Sequence, residues 1–472
     1  MASSTGSAEQ NRTKNDILVL GATGFMGRII TKYLCEHSQK QAFTLALGAR
    51  SPDKLDQMVK ELGVKDKVDE LVKVDVGSPE SVERAVKGAR VVINVVGPYW
   101  TWGTPIVAAC AKHGVHYVDL TGETPWIRRI VLEYHHAAIQ SGAIIVPSCG
   151  YDSIPSDMAP WLANKTLKAY VAANRPGTPF VGLGTSLSAQ KHKGGISGGT
   201  LASLITSLED YPKDVRREGS KPYCISPFVG RKQPGPRFIY ELVIPRAKSI
   251  VGGFWVMRNT NVWLVQRTFG LLETKALEVQ ASGTATEEEK AEANRARYGP
   301  EFVYDEFMQT KSKLSGFLIS ACLVATFALL TFVRPIRILV KKFGLQSGDG
   351  PSEEAMKKGY FQTTNITKSS EGSQPPITVQ TVVSGKGDPG YLLTGVMISE
   401  SALSLLLPLS YNGPRQSSSE IRRTTPLAKE GGILTPMTAF GEDLVTRLCD
   451  TKLFTCSSFV VEDNTGRKDK DA

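Results

Sequence analysis

At 472 residues the chain is too long for one hydrophobic core and implies two or three domains. Its content of 41% hydrophobic and 22% charged residues is that of a globular protein and excludes a disordered or multi-span chain. An excess of ten basic residues suits an anionic partner (a phosphorylated cofactor, an acyl thioester, an acidic membrane surface) or a merely solvated basic face. No Lys/Arg run is interleaved with aromatics, which argues against nucleic acid.

The leader 1–14 carries no apolar core of a signal sequence and reads as flexible. From there strands and helices alternate. DILVLGATG (16–24) is an apolar run that breaks into glycines, and FMGRIITKYL follows with helical spacing at Phe25, Ile29, Ile30 and Tyr33. FTLALGAR (43–50) is the second strand, and the next helix opens on a Ser51 cap with Pro52 at its first position. ELVKVDV (70–76), ARVVINVVGPY (89–99), HYVDL (116–120) and AIIVPSCG (143–150) complete six strands. Helices are expected near Pro79, at Thr104-Pro105 and around Trp126, with Gly114 and Gly142 as C-caps. This alternation predicts an α/β fold, a doubly wound parallel sheet of the Rossmann kind.

At the first turn Gly21, Gly24 and Gly27 stand in the spacing GxxGxxG. Gly21 allows the tight turn, Gly24 the approach of a pyrophosphate to the backbone, and Gly27 close packing of helix on sheet; the helix N-terminus then faces the phosphates. Thr23, Phe25 and Met26 complete the loop, so the dinucleotide site is placed on Gly21, Thr23, Gly24, Phe25, Met26 and Gly27. An NAD site wants a carboxylate at the end of the second strand, where this chain has Arg50, a guanidinium suited to a 2′-phosphate. NADP is therefore the expected cofactor, with NAD as the alternative. Asp75 after the third strand is placed to flank the adenine, and Gly97 and Pro98 after the fourth to lie by the nicotinamide half. Cys110, His113 and His116 are spaced like metal ligands, but Gly114 ends the helix between the two histidines, so no metal site is assigned. Seven scattered cysteines without a CxxC pair point to a reducing compartment and not to a disulfide framework.

GATGFMG, residues 91–123 and SCGYDSIPSDM (148–158) resemble the saccharopine dehydrogenase-like oxidoreductases, among them the trans-acting enoyl reductases and the lipid-droplet-associated members of that family. The likeness continues through GPSEEAMKKGYF (350–361), GDPGYLLTGVMISESALSL (387–405) and GGILTPMTAFGEDLVTRL (431–448), and so spans most of the chain. It implies an NAD(P)H-dependent reductase of a lipid-type substrate. No match is found to the amino-acid-binding residues of the lysine-pathway enzymes.

Beyond Asp157 the pattern loosens. KHKGGISGGTLASLITSL (191–208) is a flexible connection or a set of amides facing an anion, the latter kept open by Lys191, His192 and Lys193. YELVIPR, FQTTNITK and ITVQTVVSG alternate like strands and predict an antiparallel sheet flooring a substrate cleft. Residues 314–333 are twenty apolar positions framed by Lys311, Lys313, Arg334 and Arg337, long enough to cross a bilayer. Basic flanks at both ends, and a globular body on both sides in sequence, favour a monotopic device on the cytoplasmic face of a membrane or lipid droplet. The alternative is a buried helix or the contact face of a homodimer. Segment 249–273, with Trp255 and Trp263 beside Arg258 and Arg267, suits the headgroup zone or the core equally.

The expected organisation is a leader (1–14), a Rossmann domain (15–157), an α+β substrate domain (158–390) carrying the apolar segment 314–333, helices returning to the Rossmann domain (391–455) and a polar tail (456–472). Two functions follow. One is an NADPH-dependent reductase of an enoyl or carbonyl group in a lipid or acyl thioester, with Tyr99, Tyr151 and Asp152 as candidate catalytic residues. The other is a non-catalytic scaffold or redox sensor on lipid droplets, favoured by the lack of an unmistakable catalytic group.

Overall fold

The computed structural model describes residues 15–178, 180–194, 205, 207–343, 350–372, 375–411, 413–415 and 421–461. Within them the chain builds two seven-stranded sheets. The first is parallel throughout and comprises β1 (Asn15–Leu20), β2 (Leu45–Ala49), β3 (Glu70–Lys73), β4 (Ala89–Asn94), β5 (His116–Asp119), β6 (Ile144–Val146) and the late strand β13 (Gly432–Ile433). Its order is β13-β6-β5-β4-β1-β2-β3, so β1 is central and the chain reverses direction on either side of it. Leu20 lies opposite both Gly48 and Asn94, which brings the glycine turn, Arg50 and the Gly97–Pro98 turn to one edge of the sheet.

The connecting helices are α1 (Phe25–Glu36), α2 (Pro52–Glu61), α3 (Pro79–Lys87), α4 (Tyr99–His113) and α5 (Thr124–Ser141). The Ser51 cap, with its hydroxyl accepting from the Lys54 amide, and the left-handed C-caps at Gly114 and Gly142 are as expected. One boundary differs. Helix α4 begins at Tyr99, not at Thr104-Pro105, because the Glu123 carboxylate accepts from the amides of both Tyr99 and Trp100 at 2.9 Å. A distant side chain caps this helix, and Pro105 is carried inside it. The candidate metal set separates: His113 Nε2 meets Glu83 at 2.7 Å, while His116 Nδ1 accepts from the Ile144 amide at 3.0 Å.

The second sheet comprises β7 (Leu183–Lys193), β8 (Tyr240–Leu242), β9 (Ile250–Gly253), β10 (Val303–Gln309), β11 (Tyr360–Ser369), β12 (Thr378–Lys386) and β14 (Phe454–Val461), in the order β14-β12-β11-β7-β10-β9-β8. It is mixed, not purely antiparallel, because β7 and β10 run parallel. The boundary set at 455–456 is corrected by β14, which pairs along β12 from Phe454 to Val461, so this stretch is a sheet edge and not a tail. The return to the first sheet does occur, through β13 and through α10 (Thr394–Leu406), every residue of which is buried against α1, β4 and β5. Of the glycine-rich stretch, Lys191, His192 and Lys193 end β7; residues 195–204 lie outside the described residues, as do the leader and the last eleven residues.

Segment 249–273 belongs to the core. It forms β9 and the start of α7 (Arg258–Ala281), Arg258 pairs with Asp305 at 2.6 Å, and buried Arg267 donates to the carbonyls of Ile225 and Ile433. The apolar run, in contrast, is neither buried nor part of a core. It forms α8 (Lys313–Phe332), followed by α9 (Arg334–Phe343), and Gly316, Ser320 and Leu330 are its buried residues. Its foot is pressed onto β9. A Cβ on Gly316 would lie 2.6 Å from the Gly252 oxygen, and Ser320 Oγ accepts from the Phe254 amide and donates to the Phe238 carbonyl, both at 2.8 Å. The rest projects Leu314, Phe317, Leu318, Val324, Phe327, Leu329 and Phe332 into solvent.

Candidate functional site

The loop after β1 has the geometry a pyrophosphate requires. Gly21 sits at φ 84°, a left-handed conformation that other residues rarely adopt, and its amide donates to the Gly48 carbonyl. A Cβ on Gly27 would lie 2.3 Å from the Gly21 oxygen and 2.5 Å from the Ala22 oxygen, so only glycine lets α1 start this close to the turn. Gly24 is the N-cap of α1, is exposed, and receives no side-chain cap, which leaves the first amides of the helix open to an anion. Thr23 is partly exposed beside it; Met26 packs on the core. The Phe25 ring leans edge-on against Tyr391 at 5.3 Å and so joins the loop to the second half of the chain.

Arg50 follows β2 at the same sheet edge, exposed and with no hydrogen bond or ion pair among the described residues. An uncommitted guanidinium beside an uncapped helix start fits a 2′-phosphorylated dinucleotide. Asp75 Oδ1 accepts from the Gly77 amide at 3.0 Å in the exposed turn after β3. Gly97 and Pro98 form the turn after β4. Together Gly21–Gly27, Arg50, Asp75, Gly97 and Pro98 fit NADP, whose reduced form would supply a hydride when bound.

The three candidate catalytic residues separate. Tyr99 is buried, donates to the Asn94 carbonyl at 3.1 Å and accepts from the Leu120 amide at 3.2 Å; this bonding suits a residue that braces the ends of β4 and β5. Tyr151 and Asp152 lie together where the chain turns from β6 into α6 (Ile154–Asn174). The Tyr151 ring is buried between Phe361, at 4.9 Å, and His192, at 6.2 Å. Burial, with smaller contributions from Asp152 and Glu306, keeps its phenol protonated far above the ordinary range. Asp152 is exposed on this turn, and the density of protein around it raises its carboxyl to about 6.

Sequence reasoning missed three features at the ends of these strands. Glu123, which caps α4, also accepts from Tyr211 Oη at 2.7 Å. Asp119 at the end of β5 is buried, and burial raises it to about 7 despite the amides of Thr121 and Ser148 and the Tyr117 hydroxyl. The third is an aromatic row in which His192 of β7 stands between Tyr151 and Trp255, its ring 4.8 Å from the indole. Tyr151 Oη, His192 Nδ1 and Trp255 Nε1 are all buried and lack a hydrogen-bond partner among the described residues. An unmet buried polar atom costs about 1–3 kcal/mol, so three in adjoining rings ask for a ligand. Behind the row, Glu306 is held by Ser156, Gln190, Asn261 and Tyr304 in a fully bonded buried network, and its pKa is raised because burial outweighs those donors. This polar interior is invisible in strand periodicity, since Thr363, Asn365 and Thr367 of β11 face inward with it.

Comparison with known proteins agrees with this geometry. Residues 17–146 match the model of the saccharopine dehydrogenase NADP binding domain. A Mycobacterium tuberculosis protein with the provisional name trans-acting enoyl reductase is 31% identical over 449 residues, covering 92% of this chain and 95% of its own length. The trans-acting enoyl reductases of Mycobacterium bovis and Mycobacterium ulcerans are 29% and 28% identical, each over 92% of this chain and 95% and 96% of their own. Among solved structures, the apo saccharopine dehydrogenase (L-Glu forming) of Saccharomyces cerevisiae aligns over 95% of this chain and all of its own at 10% identity, with a TM-score of 0.48. An NADP-binding glycine turn, a parallel sheet that carries it and near-full-length likeness to these reductases converge, and the chain belongs to the saccharopine dehydrogenase-like oxidoreductases as a relative of the trans-acting enoyl reductases.

Proposed function

We propose that this protein is an NADPH-dependent reductase of an α,β-unsaturated or carbonyl-bearing lipid acyl group, working while docked by α8 on the cytoplasmic face of a membrane or lipid droplet. The observation that carries the reading is the meeting of two features at one place. The aromatic row that begins at Tyr151, next to Asp152, ends at Trp255, and Trp255 follows Phe254, the residue whose amide is bonded to Ser320 at the foot of the exposed apolar helix.

In this reading the glycine turn, Arg50, Asp75 and the Gly97–Pro98 turn hold the dinucleotide. Asp152, exposed next to Tyr151 and raised to about 6, supplies the proton that completes reduction. The aromatic walls exclude water from the reacting carbon. Support for docking comes from length and composition: α8 has twenty residues, a mean hydropathy of 2.1 and 17% of its apolar window buried. It lies between β10 and β11, both of which pair with β7, so the chain leaves and rejoins the same sheet and a single crossing of the bilayer would tear that sheet.

The test is NADPH oxidation with enoyl and keto acyl thioesters of increasing chain length, presented in detergent and in anionic vesicles. The reading predicts turnover that grows with chain length and an Asp152→Asn variant slowed about a hundredfold with NADPH affinity kept. No oxidation with any acyl substrate, in a protein that binds NADPH, would sink it.

A further inference from the structure

We propose that Tyr151, His192 and Trp255 form the pocket that takes the carbonyl oxygen of the acyl substrate, and that Trp255 and His192 are part of the catalytic machinery. The inference deepens the reductase reading and rests on it. Its basis is the aromatic row: three adjoining rings from three separate parts of the chain, the β6–α6 turn, β7 and the segment after β9, each with a buried polar atom that has no hydrogen-bond partner among the described residues. Core packing alone would favour phenylalanine or leucine at such positions, as at Phe361 beside them.

The chemistry of the three groups matches one kind of ligand atom. An indole N–H is a donor only. The Tyr151 phenol stays protonated because it is buried. Burial also favours neutral His192, with Asp388 pulling weakly the other way, and the Nδ1–H tautomer presents a third donor. Three uncharged donors in a dry setting suit an oxygen that gains negative charge during reaction. Reduction of an enoyl thioester makes such an oxygen. A hydride supplied by reduced NADP would add to the β-carbon, the C=C electron pair would move toward the carbonyl oxygen, and protonation of the α-carbon, with Asp152 as acid, would restore the carbonyl and leave a saturated thioester and oxidised cofactor. The donors hold the oxygen while it carries the charge, and the acyl chain runs from there past Trp255 to the foot of α8.

The experiment uses the full-length protein labelled with [15N]tryptophan, without cofactor, and two probes: dodecenoyl-N-acetylcysteamine thioester and the dodecyl thioether that lacks the carbonyl. The Trp255 indole resonance, assigned with Trp255→Phe, should move downfield with the thioester and not with the thioether. In turnover, Trp255→Phe should lower kcat about a hundredfold, the scale of one lost oxyanion donor, with KM changed by less than a few fold and NADPH affinity unchanged. His192→Phe should behave alike, and His192→Gln, which retains a donor, should recover part of the loss. Equal responses of the indole to both probes, or wild-type kcat in Trp255→Phe, would overturn the proposal. If the parent protein reduces no thioester, the reductase reading fails by itself, and the resonance of Trp255 with the two probes still decides whether the pocket binds a carbonyl.

Discussion

Asp16 and Arg50 show two opposite uses of charge at the ends of neighbouring strands. Asp16 is buried at the start of β1 and accepts from the Thr44 amide at 2.9 Å, Arg90 at 2.8 Å and Arg415 at 2.7 Å. Burial works against its charge, but those donors outweigh it and hold the carboxyl below its ordinary value. A depressed folded-state pKa gives stability that is present above the unfolded value, near pH 4, and is lost as pH falls toward the folded one. Asp16→Asn should therefore cost about 3 kcal/mol at pH 7. The gap to the parent should begin to narrow below about pH 4 in urea melts taken across pH and keep shrinking as pH falls toward the folded-state pKa; a gap that stays constant from pH 7 down to the acid limit of folding would contradict the assignment. Arg50, free at the other end, carries no such structural duty. Arg50→Asp should leave the melt unchanged and level or reverse the preference of NADPH over NADH, a change of about 1.5–3 kcal/mol. Equal calorimetric affinities for the two cofactors in the parent would remove the argument.

At the scale of elements, the glycine turn separates folding from binding. At Gly24 an added Cβ would meet only the Gly21 oxygen, at 3.3 Å, a tight contact that a small shift relieves, and its φ of −75° is open to any residue. Gly27 has no room, because the atoms in the way are backbone. Gly24→Val should keep the thermal transition within a few degrees and abolish dinucleotide binding, whereas Gly27→Ala should lower stability by about 1–3 kcal/mol or more. Loss of the transition in Gly24→Val would make Gly24 a folding residue instead. This turn was legible in the sequence because its requirements are local: a strand, three spacings and a helix. The start of α4 was not, because its cap, Glu123, comes from twenty-four residues away. The row at His192 was hidden for a similar reason. Trp255 stands sixty-three positions further along and meets it only through the packing of two strands and a turn, and in sequence it read equally well as an interfacial tryptophan. Residues 456–461 read as tail because a short run of Cys, Ser, Phe and Val becomes a strand only when β12 offers it an edge.

For the molecule as a whole, α8 and α9 are an insertion between strands of one sheet. Met308 lies opposite Gln190 and Tyr360 opposite Lys193, so the chain departs and returns at the same end of β7, on its two flanks. Strands stand about 4.8 Å apart, and the two ends are thus separated by about twice that distance. Replacing 314–343 with a short Gly/Ser bridge should leave NADPH binding and the thermal transition intact and abolish flotation with anionic vesicles. An unfolded or insoluble product would assign α8 to the core. Protection of residues 350–448 from protease by sealed vesicles, with 15–310 cleaved, would show a true crossing.

The attachment of Trp255 to the foot of α8, through Phe254 and Ser320, sets how such an enzyme would meet its substrate. On the docked reading the acyl chain passes from the bilayer to the cleft without entering water, so the reaction samples a two-dimensional population. Rate should then follow the mole fraction of substrate in the surface and not its bulk molarity. Adding inert phospholipid at fixed substrate and protein should slow turnover in proportion to the dilution, and adding buffer to the same vesicles should not.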